Sequence, residues 1–464
     1  MKIVQTFWSE NNADTSPLKN TGGWLSPEYH WIAWTLSAYQ LRLFYERLEL
    51  VTDDAGKQIL IDVFQLPYTH VRTDLQTALQ AYPQALWALA KIYAYSLQDE
   101  PFLHIDGDVF IWKRFEERIE QADLVAQNFE IDFPFYSEPL TTMRDKWAII
   151  PSCMVKELER KTTIFSSNAG IIGGHLFDFF QEYKDFAFTI IDNNLSNLGT
   201  IKYNLINICI EQFLYYCLSR EKQIDLAYVI DNQGQFDPTY PGFANFHRIP
   251  FDEWFIHCMA DYKRQEVVVR HLAKRLRRDY GMAYYRLLRL CAEAGIVLHW
   301  QCYQLPELNP QLLSEQDFGR LEQLYRAGTL SKKANEWVYF YSKDRYLYHE
   351  TELIFGQPHA QLMAQVFVFD DDCYIEETEG EELKQTLHFP VAEMLKWELF
   401  HLDPLNMVLL DALQSPKSIK QAAQEAAAYF NPTEIAANPL QFEQLVVERF
   451  RAFWYAGAIK KVQE

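Results

Sequence analysis

The stretch Phe102-Leu103-His104-Ile105-Asp106-Gly107-Asp108 ends a short, mainly apolar run with two carboxylates that are separated by one glycine. The apolar run predicts a buried strand. Ligands of open α/β sheets bind beyond the carboxyl ends of the strands, so this strand would carry both aspartates to the binding edge. Carboxylates are hard oxygen ligands for a divalent cation, and a bound cation can neutralise a diphosphate. We therefore expect a metal-dependent site at the turn around Gly107.

The segments around this turn alternate between strand and helix patterns. Strands are predicted at residues 2–8, 48–52, 61–64, 102–105 and 225–230. Helices are predicted from Ser26 to about Arg47, after Gly56, and from about Pro83 to Leu97, the first with an N-cap serine before a proline. This alternation indicates the α/β class, with a mainly parallel sheet covered on both faces. We expect this Rossmann-like domain to span residues 1–300.

Length and composition limit the classes of function. The 464 residues allow two or three domains, and 49% hydrophobic residues with 15% aromatic residues are typical of a globular protein. The formal net charge of −20 disfavours a general binder of duplex DNA or of anionic membranes. Seven cysteines without a C-x-x-C pair indicate neither a disulfide framework nor a zinc site, so we expect a cytoplasmic location. No apolar run has the length of a signal peptide or a membrane span, so no transmembrane segment is expected.

Two later stretches add polar residues to the predicted site. Residues 167–174 read Ser-Asn-Ala-Gly-Ile-Ile-Gly-Gly, and residues 257–263 read His-Cys-Met-Ala-Asp-Tyr-Lys. A neutral imidazole is a competent ligand for manganese, and a lysine ammonium suits a phosphate. A glycine-rich turn in which Asn168 caps a helix would also explain the first stretch. A structural histidine among aromatic residues would also explain His257, and His247 is a rival ligand.

The order of these motifs resembles that of GT-A fold glycosyltransferases. The resemblance rests on an N-terminal strand, a strand that ends in Asp53-Asp54, and the Asp106–Asp108 pair. Residues 167–174 resemble the F-N-A-G segment of that fold. Residues 257–263 are similar to the H-x-x-G-x-x-K motif of family 8 glycosyltransferases, although Ala260 replaces the glycine and no Pro-Trp follows.

The resemblance implies roles for individual residues. Asp106, Asp108 and His257 would bind Mn²⁺ or Mg²⁺, while Lys263 would contact the diphosphate of a UDP-sugar. Further contacts with the donor would come from Asp106 itself and from Thr6, Asp53 and Lys91, and the donor sugar would be positioned by Asn168, Glu211 and Gln212. Glu211 lies on a predicted helix, where an exposed carboxylate is more commonly part of a solvated face.

The C-terminal part of the chain has a different pattern. Residues 301–344 are expected to be a linker or helical connection, since 305–310 contain two prolines. In residues 345–464, β-type stretches are predicted at 346–349, 365–369 and 373–375, and helices near Val391, Ser418 and Leu440. Three short strands and three helices match the size of a winged-helix unit, so we expect a small α+β domain here.

This domain is similar to PqqD-like modules, also called RiPP recognition elements, over residues 402–413, 418–423 and 456–459. Those modules bind the leader of a ribosomally made precursor peptide as an added strand, using the unpaired edge of a sheet. A winged-helix DNA reader is disfavoured, because residues 345–464 contain nineteen acidic and nine basic residues, a net charge of −10. A structural cap or dimerisation domain is the other alternative, which would allow a homodimer.

The expected function is therefore a metal-dependent hexosyltransferase. It would transfer a hexose from a UDP-sugar to a side chain of a precursor peptide, with no nucleic acid as partner. One alternative acceptor is a surface polysaccharide or lipid-linked glycan. Another alternative is a non-catalytic protein that only binds a peptide or a nucleotide.

Overall fold

A mixed α/β architecture is present in the computed structural model, which describes residues 1–9, 17–160, 163–231, 244–249, 253–299, 315–333, 336–378, 384–392, 396–430, 435 and 438–462. The chain forms two units. The first comprises Met1–Leu276 and Arg289–Ile296, and the second comprises Arg277–Leu288 and Val297–Glu464.

The linker prolines of residues 305–310 lie outside the described residues. No helix in the described ranges is long and apolar enough to cross a membrane.

The first unit is built around a seven-stranded mixed sheet. The strands of this unit are β1 (Lys2–Phe7), β2 (Leu48–Thr52), β3 (His70–Arg72), β4 (Phe102–Ile105), β5 (Val109–Ile111), β6 (Leu124–Ala126), β7 (Phe129–Ile131), β8 (Phe165–Ser167), β9 (Ile171–Gly174), β10 (Leu226–Tyr228) and β11 (Phe255–His257). β5 pairs with β11 and β7 with β8 in two separate two-stranded sheets. The main sheet has the order β10-β6-β9-β4-β1-β2-β3. β1 runs parallel to β2 and β4, β2 runs parallel to β3, and β6 runs parallel to β10. β9 runs antiparallel to β4 and β6.

The described helices of the first unit lie between these strands and after the last of them. They are α1 (Pro27–Phe44), α2 (Asp54–Lys57), α3 (Leu75–Ala78), α4 (Trp87–Ser96), α5 (Glu117–Glu120), α6 (Pro134–Lys146), α7 (Ser152–Arg160), α8 (Phe177–Asp192), α9 (Tyr203–Ile208), α10 (Leu214–Glu221), α11 (Glu266–Asp279) and α12 (Gly281–Glu293). α11 and α12 contribute residues to both units. A π-helical turn, Cys209–Phe213, joins α9 to α10.

Aromatic packing fixes α4 against the sheet. Phe102 of β4 packs on Phe180 of α8 with ring centroids 4.9 Å apart, and Tyr95 of α4 lies 6.2 Å from the same ring. All three rings are fully buried. Large buried aromatic rings contribute strongly to core stability. This packing sets the position of α4, which carries Lys91, relative to the carboxyl end of β4.

Two predictions for the first unit are corrected. Residues 61–64 are not a strand but belong largely to a π-helical turn, Gln58–Val63, which buries Ile59 and Leu60, and the next strand is β3. A short apolar run does not by itself distinguish a strand from a buried helical turn. Asn168 does not cap a helix, because it lies between β8 and β9.

The second unit contains six helices within the described residues and two small antiparallel sheets. The helices are α13 (Glu315–Arg326), α14 (Glu336–Phe355), α15 (His359–Ala364), α16 (Pro404–Ala412), α17 (Ile419–Ala427) and α18 (Pro439–Ala456). The strands are β12 (Val366–Phe369), β13 (Tyr374–Thr378), β14 (Lys384–Val391), β15 (Lys396–His401), β16 (Lys417–Ser418) and β17 (Ile459–Lys461). The sheets have the orders β16-β12-β17 and β13-β14-β15.

Helix starts in the second unit agree with the sequence at two of three places. Ser418 caps α17 in a capping box with Gln421, and α18 begins next to the predicted Leu440. The helix predicted near Val391 is wrong, because Val391 ends β14. The helix that precedes α17 is α16, which starts at Pro404 and is capped by Asp403. The β-type stretch at 346–349 is also wrong, since it lies inside α14.

Buried ion pairs tie the second unit together. The Nζ atom of Lys343 lies 2.9 Å from carboxylate oxygens of both Asp370 and Asp372. The guanidinium groups of Arg277 and Arg278 both pair with Asp344. Burial makes such pairs costly to break, because a single remaining charge would be left in a region of low dielectric constant.

Candidate metal centre

The acidic turn follows β4 directly and is held by the backbone. The amide of Asp106 donates to the carbonyl oxygen of Gly170 at 3.0 Å, and the amide of Val109 donates to the carbonyl oxygen of Asp106 at 3.0 Å. Gly107 packs on the indole of Trp34, where an added Cβ would come within 2.6 Å of the ring. Glycine is therefore required between the two aspartates, since any side chain would displace Trp34.

His257 reaches the acidic turn through strand pairing. β11 runs antiparallel to β5 with His257 opposite Val109, and the amide of Cys258 donates to the carbonyl oxygen of Asp108 at 3.0 Å. The Nε2 atom of His257 lies 3.4 Å from a carboxylate oxygen of Asp108. One potential ligand atom from each of Asp106, Asp108 and His257 lies within 4.8 Å of the other two. The structure therefore brings together the three predicted metal ligands.

A hydrogen bond to Gln127 fixes the tautomer of His257. The Nδ1 atom of His257 lies 2.7 Å from Oε1 of Gln127, and the Gln127 amide nitrogen donates to Asn128. Because an amide oxygen only accepts, Nδ1 is the donor in this bond, and Nε2 is the ring nitrogen that faces Asp108. Nε2 is therefore the nitrogen that would bind a metal ion when the ring is neutral.

Lys91 and Glu211 form a buried pair beside the acidic turn. The Nζ atom of Lys91 lies 2.8 Å from a carboxylate oxygen of Asp106 and 2.6 Å from one of Glu211. Tyr95 donates to the same Glu211 oxygen at 2.9 Å. Burial raises the pKa of Glu211 to about 7 against the opposing effect of Lys91. Glu211 is therefore not part of a solvated helix face, because only 1% of its surface is exposed.

Lys263 occupies the other side of the turn. Its Nζ atom lies 2.6 Å from Asp108 and 5.7 Å from the centroid of the Trp24 ring. Burial opposes ionisation of Asp108, but Lys263 and His257 outweigh burial and hold the pKa of Asp108 well below its ordinary value. Burial, with Asp108 nearby, raises the pKa of Asp106 although Lys91 opposes this shift. The two aspartates of one turn therefore differ in charge environment.

Asn168 and Gln212 belong to one buried hydrogen-bond network. The side chain of Asn168 accepts from the amide of Gly170 at 2.9 Å and donates to Glu130 at 3.1 Å. The Tyr136 hydroxyl lies within hydrogen-bond distance of both Glu130 and Gln212. Gln212 is therefore linked to Asn168 through two other side chains.

Thr6 and Asp53 lie at the ends of β1 and β2. The Thr6 hydroxyl lies 3.0 Å from Nε2 of His104, whose Nδ1 is 3.7 Å from Asp106. Asp53 caps α2 by accepting from the amide of Gly56, and its other oxygen accepts from Ser9. Its carboxylate thus has a structural role, and its contact with a nucleotide stays a prediction. The side chain of His247, the rival ligand, lies outside the described part of the structure.

Residues 1–290 match the model of a family described as "Family of unknown function (DUF6734)". The chain belongs to this family. No curated protein matches the sequence. The DUF6734 match covers both aspartates, His257 and Lys263 of the candidate metal centre.

Several residues of this DUF6734 site carry no sequence signal of their own. Gln127 directly follows β6 and Glu130 lies within β7, while Trp34 lies in α1 and His104 in β4. Their roles come from partners far along the chain, such as Gln127 with His257. Of these four residues, only His104 lies in a predicted strand, at residues 102–105.

The donor set of this DUF6734 chain fits a hard divalent cation. Two carboxylates and a neutral imidazole suit Mn²⁺, and carboxylates also suit Mg²⁺. The Nε2 atom of His257 and a carboxylate oxygen of Asp108 lie 3.4 Å apart. Asp106, Asp108 and Glu211 together bring three carboxyl groups to a site with two ammonium groups, from Lys91 and Lys263. The carboxyl groups outnumber the ammonium groups by one, so the site can accept an added cation.

Proposed function

We propose that the first unit is a metal-dependent, GT-A-like glycosyltransferase that uses a UDP-sugar as donor. The observation that carries the proposal is the convergence of Asp106, Asp108 and His257 within 4.8 Å at the carboxyl end of β4. The parallel strands β3, β2, β1 and β4, with helices between them, support a Rossmann-like arrangement that binds ligands at this edge.

The residues of the site would divide the chemistry among them. Asp106, Asp108 and His257 would hold Mn²⁺ or Mg²⁺, and the bound ion would supply Lewis-acid neutralisation of the diphosphate. Lys263 would stabilise the leaving UDP by its ammonium charge. Lys91 would hold Glu211 in place, while Asn168 and the Gln212 network would orient the donor sugar.

Binding and turnover with the full chain test this function. Isothermal titration calorimetry would measure the binding of UDP with and without Mn²⁺. A second assay would measure the release of UDP from a panel of UDP-sugars. Both would compare wild type, Asp106→Asn and Asp108→Asn. Both variants should lose metal-dependent binding and turnover. Asp185→Asn is the matched control, because this aspartate of α8 is 70% exposed and is not a member of the candidate ligand cluster. Unchanged binding or turnover in both turn variants would show that the site is misassigned.

We infer that the acceptor is a side chain of a precursor peptide whose leader is held by the second unit. β15 pairs with β14 along one edge, and no other described strand pairs with it. Leu399 and Phe400 of β15 are 57% and 47% exposed, on opposite faces of the strand. An exposed, apolar strand edge favours the addition of an extended peptide. The net charge of −10 on residues 345–464 favours a basic peptide over a second copy of this chain.

Peptide titration tests the acceptor. Fluorescence anisotropy would measure binding of labelled leader segments from candidate precursor peptides to the full chain. Leu399→Glu should weaken binding at least tenfold by placing a charge on the edge. Leu353→Glu on α14, where Leu353 is 65% exposed, is the control and should bind as wild type does. Equal binding by all three proteins would exclude the β15 edge.

A cytoplasmic location is part of the same proposal. It is supported by six buried cysteines that all carry free thiols, namely Cys153, Cys209, Cys217, Cys258, Cys291 and Cys373.

A further inference from the structure

Trp87 is a large aromatic residue that stays exposed next to the candidate metal centre. It is the first residue of α4, and 41% of its surface is accessible to solvent. A single exposed apolar residue is common on protein surfaces and carries no weight alone. Its position matters because Lys91, four residues later on the same helix face, contacts Asp106.

The indole of Trp87 lies close to the charged groups of the site. Its ring centroid is 5.2 Å from the Nζ atom of Lys91, which is itself 2.8 Å from a carboxylate oxygen of Asp106. Among the described residues, no partner accepts a hydrogen bond from its Nε1–H group. The side chain thus offers a ligand both an apolar ring surface and an unused donor.

The start of α4 is held in place by neighbouring side chains. The Asn207 side chain donates to the carbonyl oxygen of Ala85 at 2.7 Å and accepts from the amide of Ala88 at 3.2 Å. Gln84 donates to the carbonyl oxygen of Trp8, just beyond the carboxyl end of β1, at 2.9 Å. Trp87 is therefore presented from an anchored helix start at the binding edge of the sheet. A rigid aromatic platform loses little conformational entropy when a ligand stacks on it.

We propose that Trp87 is a stacking platform for the pyranose ring of a hexose, and this inference rests on the proposed glycosyltransferase function. The apolar C–H face of a pyranose matches an indole ring, and its hydroxyl groups can accept from Nε1–H. The hexose could belong to the donor or to a glycan acceptor. Both sources present the same chemistry to Trp87.

Calorimetry with the full chain separates these sources. UDP, UDP-glucose, UDP-galactose and UDP-N-acetylglucosamine would each be titrated in the presence of Mn²⁺ into wild type, Trp87→Ala and Trp87→Phe. In Trp87→Ala, the Kd of the preferred UDP-hexose should rise about tenfold, which is about 1.4 kcal/mol, while the Kd of UDP changes less than twofold. Trp87→Phe keeps a ring but loses the donor, so its Kd should rise by about threefold. Leu43→Ala, at a residue that is 64% exposed on α1, should match wild type.

A second titration covers the acceptor. Lactose would be added to protein saturated with UDP and Mn²⁺, and binding that is lost in Trp87→Ala but kept in Leu43→Ala would assign the platform to an acceptor sugar. The proposal is overturned if Trp87→Ala weakens UDP and UDP-hexoses equally, or if it changes neither titration. Wild type that binds no UDP with Mn²⁺ would refute the proposed function and this inference together. If wild type binds UDP and Trp87→Ala changes neither titration, this inference alone is refuted.

Discussion

The Nδ1 atom of His257 donates to Oε1 of Gln127 across 2.7 Å, and this contact decides which imidazole nitrogen can bind a cation. Both side chains are buried, so water does not compete for the bond. Residues that orient a ligating histidine in this way commonly tune metal affinity without touching the metal. Gln127 therefore belongs to the site although it is not one of the predicted ligands.

Replacing Gln127 tests that role. Gln127→Leu should lower the affinity for Mn²⁺ by about 10- to 100-fold, because His257 would lose the partner that fixes its tautomer and ring orientation. Metal titration by calorimetry measures the change. Gln121→Leu, at an exposed glutamine that follows α5, is the control. Wild-type Mn²⁺ affinity in Gln127→Leu would argue against His257 as a ligand.

Gly170 is a second position where a small change should disturb the site. A Cβ atom at residue 170 would overlap with Gln127 and with the ring of His257. Gly170→Ala should therefore displace both side chains, weaken Mn²⁺ binding and destabilise the fold by about 1–3 kcal/mol, as overpacking does. Gly199→Ala is the matched control, because nothing lies within 4 Å of its added Cβ. Urea unfolding and metal titration of both variants should separate them, and equal behaviour would contradict the structure.

The pairing of Lys91 with Glu211 predicts a strong energetic coupling. Lys91→Met should destabilise the protein by about 3–5 kcal/mol, because Glu211 would be left buried without its counter-charge. Adding Glu211→Gln removes that unpaired charge and should restore much of the loss. A double-mutant cycle measured by urea unfolding gives the coupling free energy directly. Additive effects of the two substitutions would mean that the pair contributes no such coupling.

Acid should destabilise the second unit through Asp372. Burial opposes ionisation of Asp372, but Lys343, Tyr339 and Lys332 outweigh burial and lower its pKa below the ordinary value. A carboxyl whose pKa is lower in the folded state contributes stability above its unfolded pKa. That contribution is lost as pH falls through the folded pKa. Between pH 5 and 2, the free energy of unfolding should therefore fall more steeply for wild type than for Asp372→Asn.

The pH series has its own control. Asp411→Asn changes an exposed aspartate of α16 and should leave the acid slope as it is in wild type. Thermal unfolding followed by near-ultraviolet circular dichroism at each pH gives the comparison. An acid slope that is the same in Asp372→Asn and wild type would show that the Asp372 cluster does not control acid stability.

Local sequence patterns predicted the parts of the fold and site that depend on neighbouring residues. The strand at 48–52, the strand at 102–105 and the helix start near Ser418 are confirmed, since each depends on a short run of residue types. The convergence of Asp106, Asp108 and His257 also agrees with the sequence, because each lies in or beside a recognisable motif.

Contacts between distant residues could not be predicted in this way. The salt bridge from Lys91 to Glu211 and the bond from Gln127 to His257 join residues that are more than one hundred positions apart. Residues 346–349 looked like a strand because they are rich in tyrosine and leucine. The surrounding helix α14 overrides that local preference through its packing.

The shared helices α11 and α12 have a practical consequence for how this protein can be divided. A shortened version that stops at residue 300 would keep Arg277 and Arg278 but discard Asp344, so two guanidinium groups would lose a buried counter-ion. Its unfolding would then report the loss of this ion pair as well as the properties of the first unit. The roles of individual residues should therefore be tested by point substitutions in the intact chain.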